Sequence, residues 1–322
     1  MARIAPYAEL YKDPKGPGDV RPTATKIVED QGVILITGVS PGNGLGPKTA
    51  KALRLTGADV YITNRSLARG REVVRQILSS ETQELLLPGK VEAIEINLAS
   101  LKSVRAGAED FLKRSGGRLN VLINNAGVMA PPYTKTEDGF ELQFGTNHLG
   151  HFALFQHLKA ALLASGSPSF GSRVVSKREY LPLKAYGQSK LANVYFANEL
   201  TRRYSTPSLS HIHLFANSLH PGGILTPLAR HLPYERAEGL KEIPEVYRWL
   251  MTPAQGAATS VWAAVASELE HKGGLYLDQC AEAEAVAPEP YHLPGYGPQA
   301  FDPEAERRLW DVSLEMVGLV DE

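Results

Sequence analysis

The chain has 322 residues, 43% of them hydrophobic, which is enough to bury one full core. Its 34 Lys and Arg stand against 35 Asp and Glu, a formal net charge of −1, so there is no electrostatic reason to expect nucleic acid or an anionic membrane as partner. The one cysteine, Cys280, excludes an internal disulfide framework and every multi-cysteine metal site; no metal is expected, and a reducing compartment suits the composition.

The opening MARIAPYAELYKDPKG has no apolar core of the signal-peptide kind, and no apolar run reaches the roughly 18 residues of a spanning helix. The expectation is a cytoplasmic protein with no membrane span. Residues 1–30, with PKGPGDVRP, carry little periodicity and read as an irregular surface arm. From residue 33 short apolar runs, the predicted strands, fall at 33–37, 59–63, 91–96, 120–125, 172–175 and 211–219. Stretches of helical period lie between them at 47–56, 67–78, 99–114, 140–164 and 185–203. GGLYLD (273–278) reads as a last strand. Strands that are apolar throughout, alternating with helices, predict an α/β fold: a Rossmann-type doubly wound parallel sheet of about seven strands with helices on both faces. The domain is expected over 31–280. The tail, 281–322, is expected to pack on the same domain and to end in the helical DPEAERRLWDVSLEMV.

ITGVSPGNGLGPKTAKAL (36–53) joins a strand to a helix through four glycines. Backbone N–H groups at a helix N-terminus attract phosphate, and glycine lets it approach closely. Two registers fit. In the preferred one Gly38 ends the strand and Gly44-Leu45-Gly46 turn into the helix, with VSPGN as a lengthened connector. In the other Gly38, Gly42 and Gly44 form the motif, and Pro47 opens the helix.

Further motifs follow in order: NNAG (Asn124 to Gly127), NHLG (147–150), YGQSK with Tyr186 and Lys190 one helical turn apart, and LHPGGILT (219–226). With the glycine loop, they make the chain over roughly 30–280 resemble the short-chain dehydrogenase/reductase family. TEDGFELQFGTNHLGHFALFQHL and AYGQSKLANVYFANEL resemble its branch around the retinol dehydrogenases and WW-domain-containing oxidoreductases.

The resemblance implies that Tyr186 is the general acid or base. A phenol has a pKa of about 10 and needs a nearby cation to exchange protons near neutrality, which Lys190 would supply. Lys190 would also bind the nicotinamide ribose, and Asn147 would support a proton-relay water. In the cofactor site, Gly38, Ser40, Gly44, Leu45 and Gly46 would cradle the pyrophosphate. The second strand ends ITNRS, so Asn64 is followed by Arg65 and no acid; this favours NADP(H) over NAD(H). Asn97, where the family usually has aspartate, and Leu98 would meet the adenine, with Asn125, Ala126 and Gly127 along the adenosine. Pro221, Gly222, Ile224 and Thr226 would hold the nicotinamide carboxamide.

The family's catalytic serine ends the fifth strand a dozen or more residues before the tyrosine. Here SRVVSKREYLPLKAYGQSK has a single serine, Ser176, only ten residues before Tyr186. Ser176, Tyr180 or a backbone N–H would polarise the substrate carbonyl, or the role is lost. Residues 227–252 correspond to the family's lid; Leu228, Leu232, Leu240, Ile243, Val246, Tyr247, Trp249 and Leu250 give it an apolar side, suited either to a bulky apolar small-molecule substrate or to lid packing. His151 and His220 read as packed histidines. The expected activity is carbonyl/alcohol interconversion; the shortened serine segment leaves open a non-redox reaction on the same fold or a nucleotide-binding interaction protein. A homodimer through helices 140–164 and 185–203 also stays open.

Overall fold

The computed structural model describes residues 32–80, 89–166, 172–177, 184–205, 214–231, 239, 242–286 and 295–321. The expected arm at 1–30, Tyr180 and most of the segment 232–241, with Leu232 and Leu240, lie outside them.

The first half runs β1 (Val33–Ile36), α1 (Leu45–Arg54), β2 (Asp59–Asn64), α2 (Leu67–Ser79), β3 (Val91–Glu95), α3 (Leu101–Ser115) and β4 (Val121–Asn124). A helical turn (Leu142–Phe144), a π-helical turn (Gly145–Leu149) and α4 (Gly150–Ser165) then follow without a break. The second half adds β5 (Ser172–Lys177), α5 (Lys184–Tyr204), β6 (Leu214–His220), α6 (Pro253–Val265), β7 (Tyr276–Asp278), β8 (Ala281–Glu282) and α7 (Pro303–Val317).

The strands form one sheet in the order β3-β2-β1-β4-β5-β6-β7-β8, parallel except for the final pair. Strand order reverses between β1 and β4, and in such sheets ligands bind outside the strand carboxyl ends at that point. All four residues of β1 are buried: Ile34 and Ile36 enter one core layer, Val33 and Leu35 the other. A strand covered on both faces has no polar side, which is why its sequence does not alternate. One layer is made with α1, α2 and α6, the other with α3, α4, α5 and α7.

The sheet has eight strands among the described residues, where about seven were expected. Gln279 and Cys280, with φ of 53° and 52°, turn the chain back so that Ala281–Glu282 pair antiparallel on β7. A two-residue hairpin turn of this kind is normally signalled by Asn-Gly or Asp-Gly, and Gln-Cys carries no such signal. The sheet therefore extends past residue 280, into what read as tail. Beyond it α7 lies along α5. Its Trp310 is buried among Phe152, Phe155 and Phe196, with ring centroids 5.1, 6.1 and 6.0 Å away. Asp302 caps its N-terminus by accepting from the N–H groups of Glu304 and Ala305.

Candidate active site

A cavity of about 490 Å³ opens at the carboxyl ends of β1, β2, β3 and β4, within the range of small-molecule sites. Its candidate nucleotide end is built from backbone. Gly38 has φ of +67°, and a Cβ there would lie 2.4 Å from that of Ala126, so only glycine fits beside the turn after β4. Gly44 is the N-cap of α1 and offers no side chain to the first N–H groups of the helix. Those N–H donors have no intrahelical partners, and the residues that carry them line the cavity. Gly46 lies in the first turn of α1; a Cβ on it would approach Asn125 Nδ2 to 3.1 Å and Val39 Cα to 3.3 Å. The helix thus starts at Leu45, in the register that places Gly44-Leu45-Gly46 at its entrance, and not at Pro47.

Asn64 and Asn97 line the cavity, but both are committed to the protein. Asn64 Nδ2 donates to Val39 O at 2.8 Å and Ser40 Oγ at 3.0 Å, and its Oδ1 accepts from Ser66 N. It pegs the glycine loop to the end of β2. Asn97 Oδ1 accepts from Ala99 N at 3.1 Å, which leaves one lone pair for another donor. Arg65 and Arg69 also line the cavity, and neither guanidinium has an ion-pair partner among the described residues.

The candidate catalytic end is built from buried polar side chains. Tyr186 and Lys190 are both buried on the first turns of α5, with Lys190 Nζ 5.4 Å from the Tyr186 ring centre. A Cβ added to Gly127 would meet Lys190 Nζ at 3.3 Å and Asn147 Oδ1 at 3.4 Å, so these groups converge on the turn after β4. Asn147 sits in the π-helical turn, a distortion frequent at functional sites. Its Oδ1 accepts from Val128 N at 2.8 Å, and its Nδ2 donates to Val128 O and to Ser189 Oγ, both at 3.0 Å. Ser189 Oγ in turn donates to Tyr186 O at 2.8 Å.

A model of the short chain dehydrogenase family matches residues 32–237. The chain belongs to the short-chain dehydrogenase/reductase family. Short-chain dehydrogenase/reductase prx1 of Penicillium roqueforti is 40% identical over 339 residues, covering 97% of this chain and 95% of that protein. Retinol dehydrogenase 14 of Homo sapiens is 38% identical over 315 residues, covering 89% and 86%, which puts the chain near the retinol dehydrogenase branch. The crystal structure of an uncharacterized protein from Mycobacterium paratuberculosis matches with a TM-score of 0.64 and 28% identity over 93% of this chain and 98% of that one.

Against the short-chain dehydrogenase/reductase pattern, the two ends of the site differ in how fully they assemble. The glycine loop, Arg65, Leu98, the Asn125–Gly127 turn, Tyr186, Lys190, Pro221 and Thr226 all line one cavity. Gly222 and Ile224 stand aside: Ile224 is buried in the core layer beside α6, and Gly222 faces Met251. Ser176 is the penultimate residue of β5, opposite Asn124 and Ser218 in the register. In the lid region, Leu228 lines the cavity from a short 3-10 turn (Pro227–His231), and Leu250 is buried and pairs with Gly223. Ile243 and Tyr247 are 45% and 42% exposed, so the lid's apolar residues do not share one face. No helix among the described residues is long and apolar enough to cross a membrane, and none of their acidic, His and Cys groups cluster as a metal site.

Sequence reading missed Arg69, Thr37 and the part played by two histidines. Arg69 stands one turn into α2 from Arg65, a spacing that was there to be read. His151 and His148 are fully buried and neutral. Burial first, and the neighbouring Lys190 charge, push His151 down to about 4 against the bond to Asn147 O; burial and His151 push His148 down to about 3. His148 Nε2 meets Ser313 Oγ at 2.8 Å, tying the π-helical turn to α7. His220 pairs instead with Asp278 at 3.2 Å.

Proposed function

We propose that this protein is an NADP(H)-dependent oxidoreductase that interconverts a carbonyl and an alcohol on a bulky, largely apolar small molecule. The observation that carries this reading is that Tyr186 and Lys190 share one cavity with the uncapped N-terminus of α1. The residues present fit a nicotinamide dinucleotide. A Cβ on Gly44 would meet only Pro47 Cδ, at 3.9 Å, so the helix entrance is open to a ligand, and the first N–H donors of α1 suit a pyrophosphate. Arg65 and Arg69 supply the cationic pair that a 2′-phosphate needs, with no acid at the end of β2 to prefer a bare ribose.

The bound dinucleotide would supply or accept the hydride. Tyr186 holds the proton that passes to or from the substrate oxygen, and Lys190 stabilises the phenolate formed when that proton leaves. Asn147, through Ser189 and Val128, holds the turn after β4 against the first turns of α5. On the substrate side Val128, Leu142 and Leu228 line the cavity and exclude water from that proton transfer. The human relative, a retinol dehydrogenase, is named for an alcohol of the same apolar class.

Calorimetric titration with NADPH, and separately with NADH, tests the reading. Tighter NADPH binding supports it, and binding of neither overturns it.

A further inference from the structure

We propose that His151 is a positioning residue that couples the dinucleotide loop to the turn carrying Asn147. The inference rests on the functional reading above, and it adds a route by which cofactor occupancy reaches the catalytic end. His151 is 1% exposed, and both ring nitrogens are engaged. Nδ1 lies 2.9 Å from the main-chain oxygen of Asn147, and Nε2 lies 2.8 Å from Thr37 Oγ1.

The chemistry of the partners sets the direction of both bonds. A carbonyl oxygen only accepts, so Nδ1 carries the hydrogen. In a neutral imidazole Nε2 then offers a lone pair, and the Thr37 hydroxyl donates its one hydrogen to it at 2.8 Å in preference to Ile123 O at 3.4 Å. Thr37 is itself held by the turn after β4: its Oγ1 accepts from Ala126 N at 3.0 Å, and its main-chain oxygen accepts from Asn125 Nδ2 at 2.6 Å. On the other side Asn147 reaches Ser189, and Ser189 reaches the main chain of Tyr186. One hydrogen-bonded chain therefore runs from the residue before Gly38 to the catalytic tyrosine, and His151 is its centre. Phenylalanine would fill a similar volume and make neither bond, whereas asparagine would keep a donor toward Asn147 and fall short of Thr37.

The test is hydrogen–deuterium exchange of the full chain with and without NADPH, combined with steady-state kinetics on a carbonyl substrate. In the native protein NADPH should slow exchange at 145–151 as well as at 37–46. His151→Phe should keep the protection at 37–46 and lose it at 145–151. Its kcat should fall about 10- to 100-fold while KM for NADPH stays within about twofold, and His151→Asn should recover part of that loss. Unchanged protection at 145–151, or kcat and KM for NADPH moving together, would overturn the coupling. If the native protein gains no protection at 37–46 from NADPH, the functional reading fails. The link is then decided on the ligand-free native protein by nitrogen-15 NMR of labelled histidine. Protonated Nδ1 with bare Nε2 supports it, and the opposite tautomer sinks it. The same spectrum decides the case if His151→Phe does not fold.

Discussion

The two ends of the cavity are made of different materials. At the nucleotide end, main-chain N–H groups and glycines form the phosphate cradle and Asn64 braces it, with the Arg65 and Arg69 side chains lining the cavity beside it. At the catalytic end, side chains form the surface, and their positions depend on a buried chain of hydrogen bonds through Asn147, Ser189 and His151. Backbone geometry is set locally by a strand, a turn and a helix start. A buried polar network has to be satisfied all at once by residues from distant parts of the chain, because each unpaired member costs about 1–3 kcal/mol. The glycine cradle should therefore fail sterically and the catalytic end chemically.

The largest expected effect separates the two ends most sharply. Tyr186→Phe should lower kcat by roughly 10³-fold or more and leave NADPH affinity within about twofold, measured by steady-state kinetics and calorimetry. A fully active variant would refute the catalytic assignment. Gly38→Ala should do the reverse kind of damage. Its Cβ would collide with Ala126 in a left-handed backbone conformation, at a cost of about 2–4 kcal/mol, read as a lower urea midpoint together with weakened NADPH binding.

The catalytic end should also be the more sensitive to acid. His148 and His151 are held neutral in the fold, with values pushed down to about 3 and about 4, while in the unfolded chain each takes up a proton near 6.5. The stability they allow is complete above about pH 6.5 and is lost as pH falls from there toward the folded values. The slope approaches about 1.4 kcal/mol per pH unit for each histidine. Urea midpoints between pH 7.5 and pH 5 should show it, and His148→Leu should lower the slope by up to about 1.4 kcal/mol per pH unit; a flat profile counts against both buried neutral rings. The smallest expected change is at the nucleotide end. Arg65→Ala should reduce the preference for NADPH over NADH about tenfold, the loss of one charge-assisted hydrogen bond, with turnover at saturating cofactor little altered. An unchanged preference would pass the 2′-phosphate to Arg69 alone.

Most of the sheet was legible because its strands are buried on both faces and read as unbroken apolar runs. β1 to β4 lie within a residue or two of the expected spans. The hairpin to β8 was not legible, since it is two residues long and turns on Gln-Cys. The π-helical turn was not either, because its residues have helical period and nothing local marks the extra residue per turn. Asn147 stands out in the sequence by its motif, but its hydrogen-bond partners do not: Val128 lies 19 positions away and Ser189 lies 42. The facing of the lid residues was not legible, for a run of apolar residues says nothing about it. Ile243 and Tyr247 are partly exposed, while Leu250 is buried and Leu228 lines the cavity.

By itself, the sequence determined the alternation of strand and helix, the glycine entrance to α1, and the Tyr186–Lys190 pair on one helix face. All of these are set by interactions within a few residues of one another. Tertiary structure alone decided which side chains share the cavity, that Asn64 braces the loop, and that Trp310 of α7 completes a core layer. It also decided that His151 stands between Thr37 and Asn147, 114 positions from one and four from the other. The reason is physical. A histidine surrounded by apolar residues looks the same in sequence whether it is merely packed or bonded at both nitrogens, and only the fold brings the second partner within reach.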